Sequence, residues 1–75
     1  MYKFEPQRVA AARTEFKITQ DEMAKALGIT RQAYALKEHG DRSFSVGELE
    51  NIAKVTKKPV EYFFIATVTN SKQTV

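Results

Sequence analysis

Thr19-Gln20-Asp21-Glu22-Met23-Ala24-Lys25-Ala26-Leu27-Gly28-Ile29-Thr30-Arg31-Gln32-Ala33-Tyr34 holds two helix starts separated by a single glycine. Thr19 is placed to cap the first helix, and Glu22 completes a capping box that satisfies the first unpaired amides. Gly28 supplies the left-handed residue at which that helix stops. Ile29 turns into the corner. Thr30 offers its hydroxyl to a first-turn amide of a second helix, which runs from Arg31 to about His39 and ends at Gly40. Two helices joined by so tight a corner are held at a steep angle to each other.

Outward from this pair, Pro6 suits a first helical position, and Val9, Ala12, Arg13 and Phe16 recur on one face at helical spacing. Downstream, Ser45 and Glu48 make a second capping box, opening a helix whose buried stripe is expected at Val46, Leu49, Ile52 and Ala53. A last short helix, Pro59 to Phe64, closes the core with Val60 and Phe63 or Phe64. Beyond it, Ile65-Ala66-Thr67-Val68-Thr69 is β-branched and alternating, Asn70-Ser71-Lys72 has turn character, and Gln73-Thr74-Val75 can return. This tail is either frayed or a strand that pairs with its twin across a two-fold axis, and the alternation favours the strand. An isolated strand is not stable in water, so it needs a partner edge or a groove. The expected architecture is all-α and compact, with four to five helices in residues 1–64 and a tail at 65–75.

The chain has 75 residues, 43% of them hydrophobic, and no cysteine, so it reads as one domain that folds without disulfides. A domain of this size buries roughly 60% of the surface its unfolded chain exposes, and a second copy would add to a thin core. The net charge of +3 is compatible with an anionic partner without requiring one. Lys3, Arg8, Arg13 and Lys17 crowd the first eighteen residues, while Lys54, Lys57 and Lys58 group near the end of the fourth helix, a favourable end for cations. With one histidine, no Gly-rich phosphate loop and no carboxylates at ligand spacing, neither a metal site, a cofactor, a small-molecule site nor a catalytic constellation is expected. No segment has the length of a membrane span or the pattern of a signal peptide, so a soluble cytoplasmic protein without membrane contact is expected.

Gln20, Ala24, Gly28, Ile29 and Tyr34 fall where one family's twenty-residue motif has Gln, a small residue, Gly, an aliphatic and a buried large apolar residue. Glu38-x-Gly40, Ile18-Thr19-Gln20 and Ile52-Ala53-Lys54 match further segments of it. By these residues the chain resembles the Cro/repressor, or XRE, type of helix-turn-helix regulator over roughly residues 5 to 64. The resemblance implies a lambda-repressor-like DNA-binding fold in a bacterial or phage-infected cell. It implies double-stranded operator DNA as partner and a homodimer as the binding form.

Carried over by position, Gln20 and His39 would sit against phosphates. Arg31 and Gln32, at the start of the recognition helix, would read bases. Ala35 and Leu36 would face the groove, and Arg42 and Ser43 would follow the sugar-phosphate backbone. Arg13 and Glu38 match a pair that in several relatives joins helix 1 to the end of helix 3, a structural role. Tyr34 belongs first to the core, with a hydroxyl able to reach the surface.

Two positions depart from the pattern. Lys37 stands where a buried apolar residue is usual, and its stem is expected to pack while the ammonium snorkels out. Ala35 and Leu36 offer no hydrogen bonds, so base reading rests on Arg31, Gln32 and methyl contacts to thymine. The leading expectation is a sequence-specific DNA-binding transcriptional regulator, a Cro-like repressor of the phage lysis-lysogeny switch kind. The apolar patch keeps open an antirepressor that binds a partner phage repressor and masks its DNA-reading surface. A third reading is an antitoxin-type regulator.

Overall fold

A computed structural model describes residues 1–67 of the chain. Its order is β1 (Tyr2–Phe4), α1 (Pro6–Glu15), α2 (Gln20–Leu27), α3 (Arg31–His39), α4 (Val46–Thr56), a 3-10 turn (Val60–Phe63) and β2 (Phe64–Ala66). The helical ends follow the local chemistry. Thr19 and Ser45 each accept from the amide three residues on, and Glu22 and Glu48 return the bond, so both capping boxes are complete. Thr30 caps α3 through the amide of Ala33 at 3.0 Å. Gly28 and Gly40 end α2 and α3 at φ 71° and 100°, where a Cβ would be strained.

Val9 and Ala12 of α1, Met23 and Ala24 of α2, Tyr34 of α3, Ile52 and Ala53 of α4, and Phe63 form the core. Thr56 joins them fully buried, its hydroxyl donating back to the Ile52 carbonyl at 2.7 Å. Three residues expected in the core lie outside it. Phe16 is 40% exposed because α1 stops at Glu15, Lys17 takes φ 57°, and the Ile18 amide closes back on the Arg13 carbonyl. That closure turns Ile18 inward in its place. Val46 is 74% exposed, in the first turn of α4 on the margin of a stripe that continues instead through Leu49, Ile52, Ala53 and Thr56. Val60 stays at the margin, 36% exposed, because the closing segment is a 3-10 turn, whose tighter winding fully buries Phe63 alone.

The strand expected in the tail is present as Phe64–Ala66, and its partner edge comes from the same chain. It pairs antiparallel with Tyr2–Phe4, matching Tyr2 to Ala66, Lys3 to Ile65 and Phe4 to Phe64. Thr67 extends the ribbon by donating its amide to the Met1 carbonyl at 2.9 Å. The remainder of the predicted tail, residues 68–75, lies outside the described residues. Phe4 stands edge-on to Phe64 and Phe44 at 5.6 and 5.8 Å between centroids, and Phe44 meets Tyr34 at 5.9 Å. These rings join the ribbon to the inner face of α3. At the far end of α4, Lys58 pairs with Glu15 at 3.0 Å and lies over the Tyr62 ring, so one of the three clustered lysines is engaged within the fold.

Candidate nucleic-acid interface

The orientation of α3 is set from behind by one carboxylate. Glu38 accepts from Arg13 Nε at 2.8 Å and Arg13 Nη2 at 3.2 Å, from Gln20 Nε2 at 2.9 Å, and from the Tyr34 hydroxyl at 2.6 Å. Arg13 Nη1 donates to the Ile18 carbonyl at 2.8 Å, so the same guanidinium also fixes the α1–α2 corner. Side chains of α1, α2 and α3 thus converge on one anion whose own side chain is only 8% exposed. Burial works against the Glu38 charge. The hydrogen bonds from Arg13, Tyr34 and Gln20 outweigh it and hold the carboxyl below its ordinary range. The Tyr34 hydroxyl is pushed well above the ordinary phenol value, by burial first and then by donating to Glu38. Tyr34 is therefore wholly interior, and its hydroxyl ends on Glu38 rather than at the surface.

Lys37 is the second tie. Its ammonium turns inward and donates to both carboxylate oxygens of Glu48 at 2.8 Å, with both side chains largely buried, instead of snorkelling to solvent. Glu48 simultaneously accepts from the Ser45 amide, so the capping box of α4 and the ion pair to α3 share one carboxylate. Burial disfavours its charge, and the Lys37 and Ser45 hydrogen bonds overcome this and lower its pKa. A lysine in an apolar position is accommodated because the charge it needs was already in place for the cap.

Held from behind in this way, α3 presents its other face to an open groove. Gln20, Gln32, Ala35, Leu36 and His39 line it together, with Gln7 and Ala10 of α1 along one side and Glu38 and Asp41 at the end. Arg31 and Gln32 are exposed in the first turn of α3. Arg42 and Ser43 sit outside this groove, in a neighbouring hollow that also touches Phe4, Gly40 and Phe44. Gln20 has one function beyond its predicted surface role, since its amide is oriented by the bond to Glu38. Gln7 is absent from the sequence-based set. Nothing in its spacing connects it to residues 20–39, and only the packing of α1 beside α3 places it there.

The fold and this face define a helix-turn-helix DNA-binding domain. The chain belongs to the helix-turn-helix family of the XRE type, whose model matches residues 9–63. That membership sets it among DNA-binding domains and not among enzymes. It is 34% identical over 58 residues to a Rhodospirillum rubrum protein described as an uncharacterized transcriptional regulator in the ATPase CF(0) region. The match covers 77% of this chain and 54% of that protein, so the chain spans about half the length of its curated relative. No helix among the described residues is long and apolar enough to cross a membrane.

Proposed function

We propose that this chain is a sequence-specific transcriptional regulator of the Cro-like repressor kind, which lays α3 in the major groove of an operator. The observation that carries the reading is the pairing of an exposed Arg31 and Gln32 at the start of α3 with a rigid inner face, fixed through Glu38 and Lys37. Arginine can grip guanine and glutamine can grip adenine with two bonds each, and such contacts discriminate only when the helix cannot swing. Gln20 at the start of α2 and His39 at the end of α3 would hold phosphates on either side, and Arg42 and Ser43 would follow the backbone. A two-fold homodimer would place two copies of α3 in successive major grooves roughly 34 Å apart and act by occupancy. Residues 65–75, together with the open edges of the β1–β2 ribbon, are the surface proposed for that pairing.

Gel-shift titration against the promoter region beside its own gene tests this. The expected result is a shift whose affinity falls steeply with salt as counterions are released. Failure to shift DNA alone, combined with loss of a neighbouring repressor's shift on addition of this chain, would overturn it. That outcome belongs to the second reading, a modulator that masks a partner repressor. The apolar middle of the groove, Ala10, Ala35 and Leu36, is the observation that favours it.

A further inference from the structure

His39 is the chain's one histidine, and its ring lies at the end of the groove with Nδ1 3.0 Å from Asp41 Oδ2. We propose that His39 is a proton-dependent phosphate contact and that Asp41 is the positioning residue that makes it so, a proposal that rests on the regulator reading. A carboxylate only accepts, so with Asp41 as partner the hydrogen of a neutral ring must sit on Nδ1. The opposite nitrogen, Nε2, is then a lone pair, on a side chain that is 81% exposed. A phosphate oxygen also only accepts. The neutral ring therefore has nothing to give it, and lone pair would face lone pair.

One proton from solvent on Nε2 changes this. The imidazolium donates Nδ1–H to Asp41 and Nε2–H to the phosphate, and the second bond is charge-assisted. The one bond formed is Nε2–H, made with a proton from solvent, and the balance is one proton taken up per subunit on binding DNA. Among the described residues, the groups around the ring supply no competing cation. Gln7 and Ala10 from α1 and Gln20 from α2 are uncharged, and Glu38 on α3 is committed to Arg13, Tyr34 and Gln20. The Lys37 ammonium is committed to Glu48. Arg42, which follows Asp41 in the loop, lines the neighbouring hollow. An asparagine or glutamine at position 39 would donate at every pH, so the proton dependence follows from this histidine and this aspartate together.

The test is fluorescence anisotropy on the tightest duplex selected by this chain from a random-sequence pool, at fixed ionic strength, across the range of about pH 5 to 8 in which imidazole changes charge. Wild-type affinity should fall as pH rises, by up to about tenfold per unit for each subunit bound and so up to about a hundredfold for a dimer, because one proton is exchanged at each half-site. His39→Gln should flatten that slope. In Asp41→Asn the amide can donate to Nδ1, letting the neutral ring carry its hydrogen on Nε2. The slope should then flatten while affinity at the alkaline end rises above wild type. Both side chains are exposed, and circular dichroism of each variant checks that the fold is intact. A pH-independent wild type, or a wild-type slope retained in either variant, overturns the proposal while leaving the regulator reading in place. A chain that selects no duplex at any pH overturns both.

Discussion

Replacing Glu38 by glutamine keeps the shape of the side chain and removes the charge on which three helices converge. The neutral amide can still accept through one oxygen. Its NH2 group, however, would face the donors of Arg13, Gln20 or Tyr34, all of which approach within hydrogen-bonding distance of the carboxylate. Breaking a buried ion pair from one side costs about 3 to 5 kcal/mol. Here Arg13 and Glu38 retain 14% and 8% exposure, so some screening by water remains. A loss of about 2 to 4 kcal/mol is the resulting expectation. For a 75-residue chain the whole stability is about 4 to 11 kcal/mol, and each kcal/mol moves the melting midpoint by about 4 to 8 °C. Thermal and urea unfolding followed by circular dichroism should show a fall of at least about 8 °C. A midpoint within about 2 °C of wild type would refute the idea that this carboxylate organises the domain. The same charge predicts an acid limb. The Glu38 pKa is lowered in the folded state, so its contribution is present above the unfolded carboxylate value and is lost as pH falls through the folded one. Wild type should therefore lose stability below about pH 4, and the glutamine variant should lose less of it over the same interval.

Other substitutions separate reading from support. Arg31→Ala and Gln32→Ala should each weaken specific DNA binding by about 1 to 3 kcal/mol with an unchanged melting midpoint, and a large stability loss would assign them to the scaffold instead. Lys37→Met should cost little, because Glu48 keeps the hydrogen bond from the Ser45 amide when the ammonium is removed. Glu48→Gln, which strands the Lys37 ammonium while weakening the cap, should cost more, and equal melting midpoints would contradict the shared-carboxylate arrangement. Phe4→Ala should cost about 2 kcal/mol, less than a fully buried ring, through its contacts with Phe44 and Phe64, and should loosen the ribbon as seen by amide exchange of residues 64–67.

The groove was partly legible in advance. Gln20, Gln32, Ala35, Leu36 and His39 share it because they lie on two helices whose spacing is fixed by one short corner. Gln7 and Asp41 were not legible, since one arrives from a separate helix and the other matters only through where its carboxylate points. The inward turn of Lys37 was hidden for the same reason: its partner lies on the next helix, and no local pattern reports a contact between elements.

The sequence alone determined α2 and α3 with their ends and the starts of α1 and α4, because caps, capping boxes and left-handed glycines act within a few residues of one another. It also determined the corner at Gly28 and hence the angle at which α3 is presented. Tertiary structure decided what terminates where the local signals are weak: Phe16 and Val46 outside, Ile18 and Thr56 inside, and an N-terminal strand that supplies the edge Phe64–Ala66 requires. It also decided that α3 is held by Glu38 from one side and Lys37 from the other. Burial and charge pairing are settled between elements distant in the chain, and their energies depend on distances that periodicity and spacing do not contain.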